Sequence, residues 1–227
     1  NPVRNVHFLG AGVGGHCLPK DTWLLMHGYD RYAESKREYP MSILTTARHL
    51  NDWMPIHMVD LLEEALNEAG REIRGSRICV MGYAFLENSD DARNTPTVPL
   101  IKELERRGAA WVIHDPHIEK DEEFRMERDI DSALRGCDAM VLMTKHEEYR
   151  SVTPERLKSQ LRSRIVVDGR DMYNSRQFLD CGFIYKGMGK GNINRNGRGG
   201  SGTCLPQSEG APRSGMRGKS EVMPWSG

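Results

Sequence analysis

The apolar residues in the second half of the chain fall into short, dense runs separated by amphipathic stretches. ICVM (78–81), WVIHDP (111–116), AMVLMT (139–144), IVVDG (165–169) and FIYKG (183–187) have the length and content of strands buried on both faces. Between them, Thr95 to Arg107 (closed by Gly108), Ile130 to Leu134 and Pro154 to Leu161 carry helical spacing. This alternation predicts β-α-β units around a parallel sheet, an α/β fold whose ligands sit at the carboxyl ends of the strands. Upstream, Ile43, Leu44, Ala47, Leu50, Ile56, Val59, Leu62, Ala65, Leu66 and Ala69 also recur at helical spacing and stop at Gly70. Pro55 lacks an N–H for the preceding turn, so two helical pieces are expected rather than one. Trp53, Met54 and Met58 widen the apolar stripe. That suits either packing within one domain or a second stripe held against a partner chain. The first thirty residues are dominated by glycine and proline and are expected to be loop.

Residues 191–227 collapse into Gly, Ser, Asn, Arg and Pro, a composition that cannot bury enough surface to offset chain entropy. A disordered tail is expected there. The organisation expected is therefore a loop and helix region over 1–74, a parallel-sheet domain over 75–190 and the tail.

Composition changes this picture little. A chain of 227 residues with 38 % hydrophobic content can build a proper core. Its 32 basic residues balance 32 acidic ones, so no whole-chain field marks a nucleic-acid or anionic-membrane binder. No apolar run approaches the ~20 residues of a membrane span, and the first residues lack signal-peptide organisation, which together point to the cytoplasm. Five widely spaced cysteines without a C-x-x-C suit reduced thiols.

Candidate chemistry concentrates in VHFLGAGVGGHCLPKD (6–21). Gly10, Gly12 and Gly15 spell a dinucleotide fingerprint. VHFL is a poor strand, however, and Pro19 falls where the fingerprint's helix should run. The alternative is a flexible loop: Gly12, Gly14 and Gly15 let the backbone approach a ligand, and Cys17 follows at its rim. A cation such as Lys20 favours thiolate, and a carboxylate such as Asp21 can activate water. Cysteine, lysine and aspartate together could run covalent catalysis. The bland alternative, a small buried Cys17, is about equally compatible with these residues. His7, His16, Cys17 and His27 match no zinc spacing, and no metal is expected. Asp90, Asp91 and Arg93 alone would pass for a solvated loop before a helix capped by Thr95, and Arg170 for a surface partner of Asp168 or Asp171.

Taken together, GVGGHCLPKD (12–21), ARHLNDWMP (47–55), GYAFLENSDDARNTP (82–96), HDP (114–116), DGR (168–170) and YKGMGKG (185–191) resemble, in order, the motifs of the UDP-glucose/GDP-mannose dehydrogenase family. The resemblance covers nearly everything from Asn1 to Gly191. It implies a catalytic-loop remnant and a dimerisation helix, followed by a Rossmann-like UDP-binding domain. It also implies NAD as cofactor, held by a domain that family members carry ahead of the cysteine loop. The implied chemistry oxidises the C6 alcohol of a UDP-N-acetylhexosamine through a cysteine thioester. Cys17 then stands as nucleophile, Asp21 as the water-activating carboxylate, and Lys20 and Arg170 among the cofactor contacts. Gly12, Gly14, Gly15, Phe85 and Arg93 stand along the UDP-sugar. A homodimer through residues 41–70 is implied as well. Leu86 replaces a lysine common in the family, which implies weaker nucleotide binding. A catalytically silent UDP-sugar binding or dimerisation module is the alternative of a different class.

Overall fold

The computed structural model describes residues 10–33 and 42–196. The helix α1 (Leu18–Tyr32) is followed by the 27-residue α2 (Ser42–Glu68). An alternating array follows: β1 (Arg77–Met81), α3 (Thr97–Arg106), β2 (Ala110–His114), β3 (Met126–Glu127), α4 (Ile130–Leu134), β4 (Ala139–Leu142), α5 (Pro154–Gln160), β5 (Ile165–Asp168), α6 (Ser175–Asp180), β6 (Ile184–Gly187) and α7 (Gly191–Asn196). The six strands form one all-parallel sheet in the order β3-β2-β1-β4-β5-β6. The chain starts in the middle and winds outward both ways, so β1 and β4 flank the point where the strand order reverses. That crevice is where an open α/β sheet holds ligands.

The strands are buried on both faces, as their near-continuous apolar runs require. One face carries Ile78, Val80, Ile113, Val141, Ile165 and Val167 and is covered by α2 and α3 through Met58, Val59, Leu62, Leu66, Leu100 and Leu104. The other carries Cys79, Met81, Met140, Leu142, Val166 and Tyr185 and is covered by α4, α5 and α6 through Leu134, Leu157 and Phe178. Arg107, just past α3, is nearly buried. It bonds Asp60 (2.5 Å) and Glu63 (2.6 Å) of α2 and Glu103 (2.7 Å) of its own helix, which fixes the two covering helices side by side.

Three expectations are corrected. The first thirty residues are not all loop, because α1 begins at Leu18. Pro19 does not prevent this; in the first turn its missing N–H would have had no helical acceptor. Pro55 does not divide α2, which runs through it without a break. The expected disordered tail opens instead with the short helix α7, pinned where Asn194 Oδ1 accepts from Gly187 N–H (2.9 Å) and Nδ2 donates to Gly187 C=O (3.0 Å). Residues 197–227 lie outside the described residues, as do 1–9, which include the VHFL run and His7. Among the described residues no helix is long and apolar enough to cross a membrane. Among the described residues Cys17, Cys79 and Cys137 are free thiols.

Candidate active-site loop at the strand ends

The glycine loop lies across the carboxyl ends of β1, β4 and β5 and is held there almost peptide by peptide. Ala11 N–H donates to Gly169 C=O just past β5 (3.1 Å). Gly12 C=O accepts from Arg170 Nη2 (3.2 Å). Gly15 N–H donates to Arg93 C=O (2.8 Å), and Gly15 C=O accepts from Asn94 Nδ2 (2.9 Å). Gly12 (φ +109°) and Gly15 (φ +87°) lie in the region that side chains avoid. At Gly14 the limit is space: a Cβ there would stand 2.6 Å from Phe85 Cβ and 2.7 Å from Asn94 O. Glycine is thus required at 12 and 15 by conformation and at 14 by contact.

The receiving surface is built with equal definition. Gly82 ends β1 at φ +96°, where a side chain would run into Thr144 at the end of β4. Beyond it, Tyr83 and Ala84 N–H both donate to Asp115 Oδ2 (2.7 and 2.9 Å), and His117 and Ile118 N–H donate to Asp115 Oδ1 (2.9 and 3.1 Å). His146 Nε2 lies 3.1 Å from Asp115 Oδ2, while its Nδ1 accepts from Asn88 N–H (3.0 Å). Because Nδ1 is an acceptor, Nε2 carries the proton and donates to the carboxylate. Burial would raise the Asp115 carboxyl. The His146 side chain and the Ala84 and Tyr83 N–H groups outweigh that and hold it down at about 2. The stretch 83–88, which carries Phe85, is thereby tied to the sheet at both ends.

The sequence-derived site residues separate into two groups. Gly12, Gly14, Gly15, Phe85, Arg93 and Arg170 come together at one place. Arg170 is not a surface ion pair. Its Nε donates to Met143 C=O (2.6 Å), its Nη2 to the loop and its backbone N–H to Asp168 Oδ1 (2.8 Å). Burial pushes the guanidinium below its ordinary value, against the opposing fields of Glu87 and Asp168. Cys17 stands at the exposed N-cap of α1, and its C=O accepts from Lys20 and Asp21 N–H (3.0 and 2.8 Å). Lys20 Nζ pairs with Asp21 Oδ1 (3.0 Å), so these two side chains face each other in solvent. Arg93 is held by Asp91, and that hydrogen bond raises its guanidinium above its ordinary value; the Cys17 thiol adds a smaller rise in the same direction, placing the thiol within the cation's field. Residue-level reasoning overlooked Asn51 and Asn94. Asn94, at φ +49°, had a local signal, since asparagine tolerates that conformation in a turn.

One group of metal-ligating types occurs among the described residues, His117, His146 and Glu148. Both nitrogens of His146 already serve Asp115 and Asn88, so it has no free donor for a cation.

The exposure of Cys17 gives a direct expectation. Cys79 and Cys137 are fully buried; the neighbouring Cys137 thiol, with burial, pushes the Cys79 thiol well above its ordinary value. Iodoacetamide at neutral pH should therefore label Cys17 on the order of 100-fold faster than either, because a buried thiol reacts only from an opened state. Peptide mapping in which either buried thiol keeps pace would contradict this.

Known proteins match this geometry. The profile of the UDP-glucose/GDP-mannose dehydrogenase family, UDP binding domain, fits residues 79–175. UDP-N-acetyl-D-mannosamine dehydrogenase from Pyrococcus horikoshii is 31 % identical over 193 residues, covering 85 % of this chain and 42 % of that protein. UDP-glucose 6-dehydrogenase from Haloferax volcanii is 34 % identical over 181 residues, 76 % of this chain and 39 % of its own length. A solved structure of NDP-N-acetyl-D-galactosaminuronic acid dehydrogenase from Methanosarcina mazei Go1 superposes with a TM-score of 0.77 at 36 % identity, over 81 % of this chain and 40 % of that one. The chain thus spans about two fifths of the length of these relatives. By their strand order and these matches, residues 79–175 form a UDP-binding C-terminal domain of the UDP-glucose/GDP-mannose dehydrogenase family.

Proposed function

We propose that this chain is the C-terminal part of an NAD-dependent nucleotide-sugar 6-dehydrogenase that converts the C6 alcohol of a UDP-N-acetylhexosamine to the uronate, supplying polysaccharide synthesis. The observation that carries this reading is the docking of the cysteine loop over the switch point, beside Phe85 and Arg93. There the uridine diphosphate lies against the strand-end loops, with the charge of Arg93, whose Nε and Nη2 Asp91 holds in place, near its phosphates. The sugar extends beneath Gly12 to Gly15 toward Cys17. The thiolate of Cys17 adds to the C6 aldehyde carbon, and the carbonyl oxygen takes a proton as the thiohemiacetal forms. After oxidation to the thioester, Asp21, one helical turn past Cys17, orients and deprotonates water for hydrolysis, which returns the thiol.

NAD would accept the two hydrides. The described residues do not form a site for it, because β1 runs into Gly82-Tyr83-Ala84 without the three-glycine turn, and Gly10 to Gly15 are spent on docking. Lys20 and Arg170 are the residues of this chain placed nearest to a cofactor in this reading. The apolar side chains exposed on α1 and on the first half of α2, among them Trp23, Leu24, Leu25, Ile43, Leu50 and Trp53, support a homodimer through α2.

Titration calorimetry is expected to show UDP binding and no NAD binding, and the chain given NAD and UDP-N-acetyl-D-mannosamine should form no NADH. A chain that ignores UDP would remove the reading's foundation, and NADH formation would overturn the assignment of the hydride acceptor's site. A silent binding module would share the UDP result but leave Cys17 without a task.

A further inference from the structure

We infer that Asn51 of α2 is a positioning residue for the cysteine loop, fixing the loop's register and through it the place of Cys17. This deepens the proposed function and rests on it, since it assigns Cys17 a position that matters. Val13 N–H donates to Asn51 Oδ1 (3.0 Å), and Asn51 Nδ2 donates back to Val13 C=O (3.4 Å). One side-chain amide thus reads both polar groups of a single residue, much as a neighbouring strand would. Four residues further along α2 stands Pro55, which has no N–H to give the Asn51 carbonyl. That carbonyl faces the loop instead; a Cβ on Gly12 would lie 3.4 Å from it. Asn51 therefore presents three polar groups to the loop at the one turn of α2 that the proline leaves open.

The Asn51 amide sits midway along the docked segment. On one side are the contacts of Ala11 and Gly12 with Gly169 and Arg170; on the other are those of Gly15 with Arg93 and Asn94. The side chain of Val13 is exposed, so only its backbone is held there. A loop freed at Val13 would have glycines on both sides of the break, and between Gly12 and Gly15 only the packing of Gly14 against Phe85 and Asn94 would remain to keep their spacing. Cys17, two residues past Gly15, would lose the place that the Gly15 N–H bond to Arg93 C=O fixes for it.

The test compares Asn51→Leu and Asn51→Asp with the parent chain. Asn51→Leu keeps the shape and removes both bonds, whereas Asn51→Asp keeps the acceptor for Val13 N–H and loses the donor. The first readout is amide hydrogen exchange at Gly15, whose N–H bonds Arg93 and not Asn51. It should rise roughly tenfold or more in Asn51→Leu and less in Asn51→Asp. The second is the ratio of Cys17 alkylation by anionic iodoacetate to that by neutral iodoacetamide, which reports nearness to the Arg93 cation. It should fall about twofold in Asn51→Leu, the effect being modest because Asp91 offsets part of that charge. Faster exchange confined to Val13, or an unchanged alkylation ratio, overturns the inference. If Asn51→Leu does not fold, Asn51→Asp decides by the same two readouts. UDP calorimetry separates the two levels: a parent chain that binds UDP while its variants leave Gly15 unmoved sinks the role of Asn51 alone. A chain that fails to bind UDP while Gly15 responds sinks the functional reading alone.

Discussion

Asp115→Asn is expected to lower the stability of the domain by on the order of 3–5 kcal/mol, because the new amide must turn an NH2 toward donors that now share a carboxylate. Both Asp115 oxygens accept only, from four backbone N–H groups and His146, so neither flip of an asparagine satisfies them. At about 2–4 °C per kcal/mol for a domain of this size, thermal unfolding followed by circular dichroism should drop by roughly 10 °C. The parent should also show an acid signature that the variant lacks. The folded carboxyl sits at about 2, below the ~3.9 of an unfolded aspartate. Its contribution is therefore complete above about pH 4 and is lost as the pH falls toward 2. Asp91 and Glu103, also held at about 2, titrate in the same window, so the difference between parent and variant curves isolates Asp115. A variant within 1 kcal/mol of the parent, or equally acid-sensitive, would contradict this account of the buried carboxylate.

Gly14→Ala is expected to do the opposite, leaving the sheet intact and freeing the loop. The added methyl would stand 2.6 Å from Phe85 Cβ and 2.7 Å from Asn94 O, and the second of these is backbone that cannot swing aside. The loop must lift, at a cost of about 3 kcal/mol by the scale of overpacking in close contacts. Amide exchange at Gly15 should then accelerate roughly 100-fold while the β1 and β4 amides keep their protection. Equal loss of protection in the strands would show that the loop supports the core and does not merely dock on it.

The sheet was legible because each buried strand is written locally. ICVM, AMVLM and IVV are apolar throughout, and Gly70 and Gly108 stop their helices at φ +71° and +79°. α1 was not legible because none of its residues is buried, so no periodic apolar stripe announces it. β3 is two residues long, too short to leave a pattern. At α2, the penalty assigned to Pro55 was outweighed by Met58, Val59, Leu62, Ala65 and Leu66 packing one continuous face onto the sheet. The site divides in the same way. The glycines and Cys17 lie together in sequence and could be seen together. Arg170 reaches Gly12 across 158 residues and Asn51 reaches Val13 across 38, and no local spacing encodes such contacts.

The unbroken course of α2 has a mechanical meaning. At about 1.5 Å per residue its 27 residues form a rod of roughly 40 Å. The second half is embedded under the sheet, and the first carries Ile43, Leu50 and Trp53 outward. With no hinge between the halves, whatever covers the outer end is delivered at one distance and one angle to the strand ends. The helix acts as a ruler, and the cysteine loop is fastened to its midpoint.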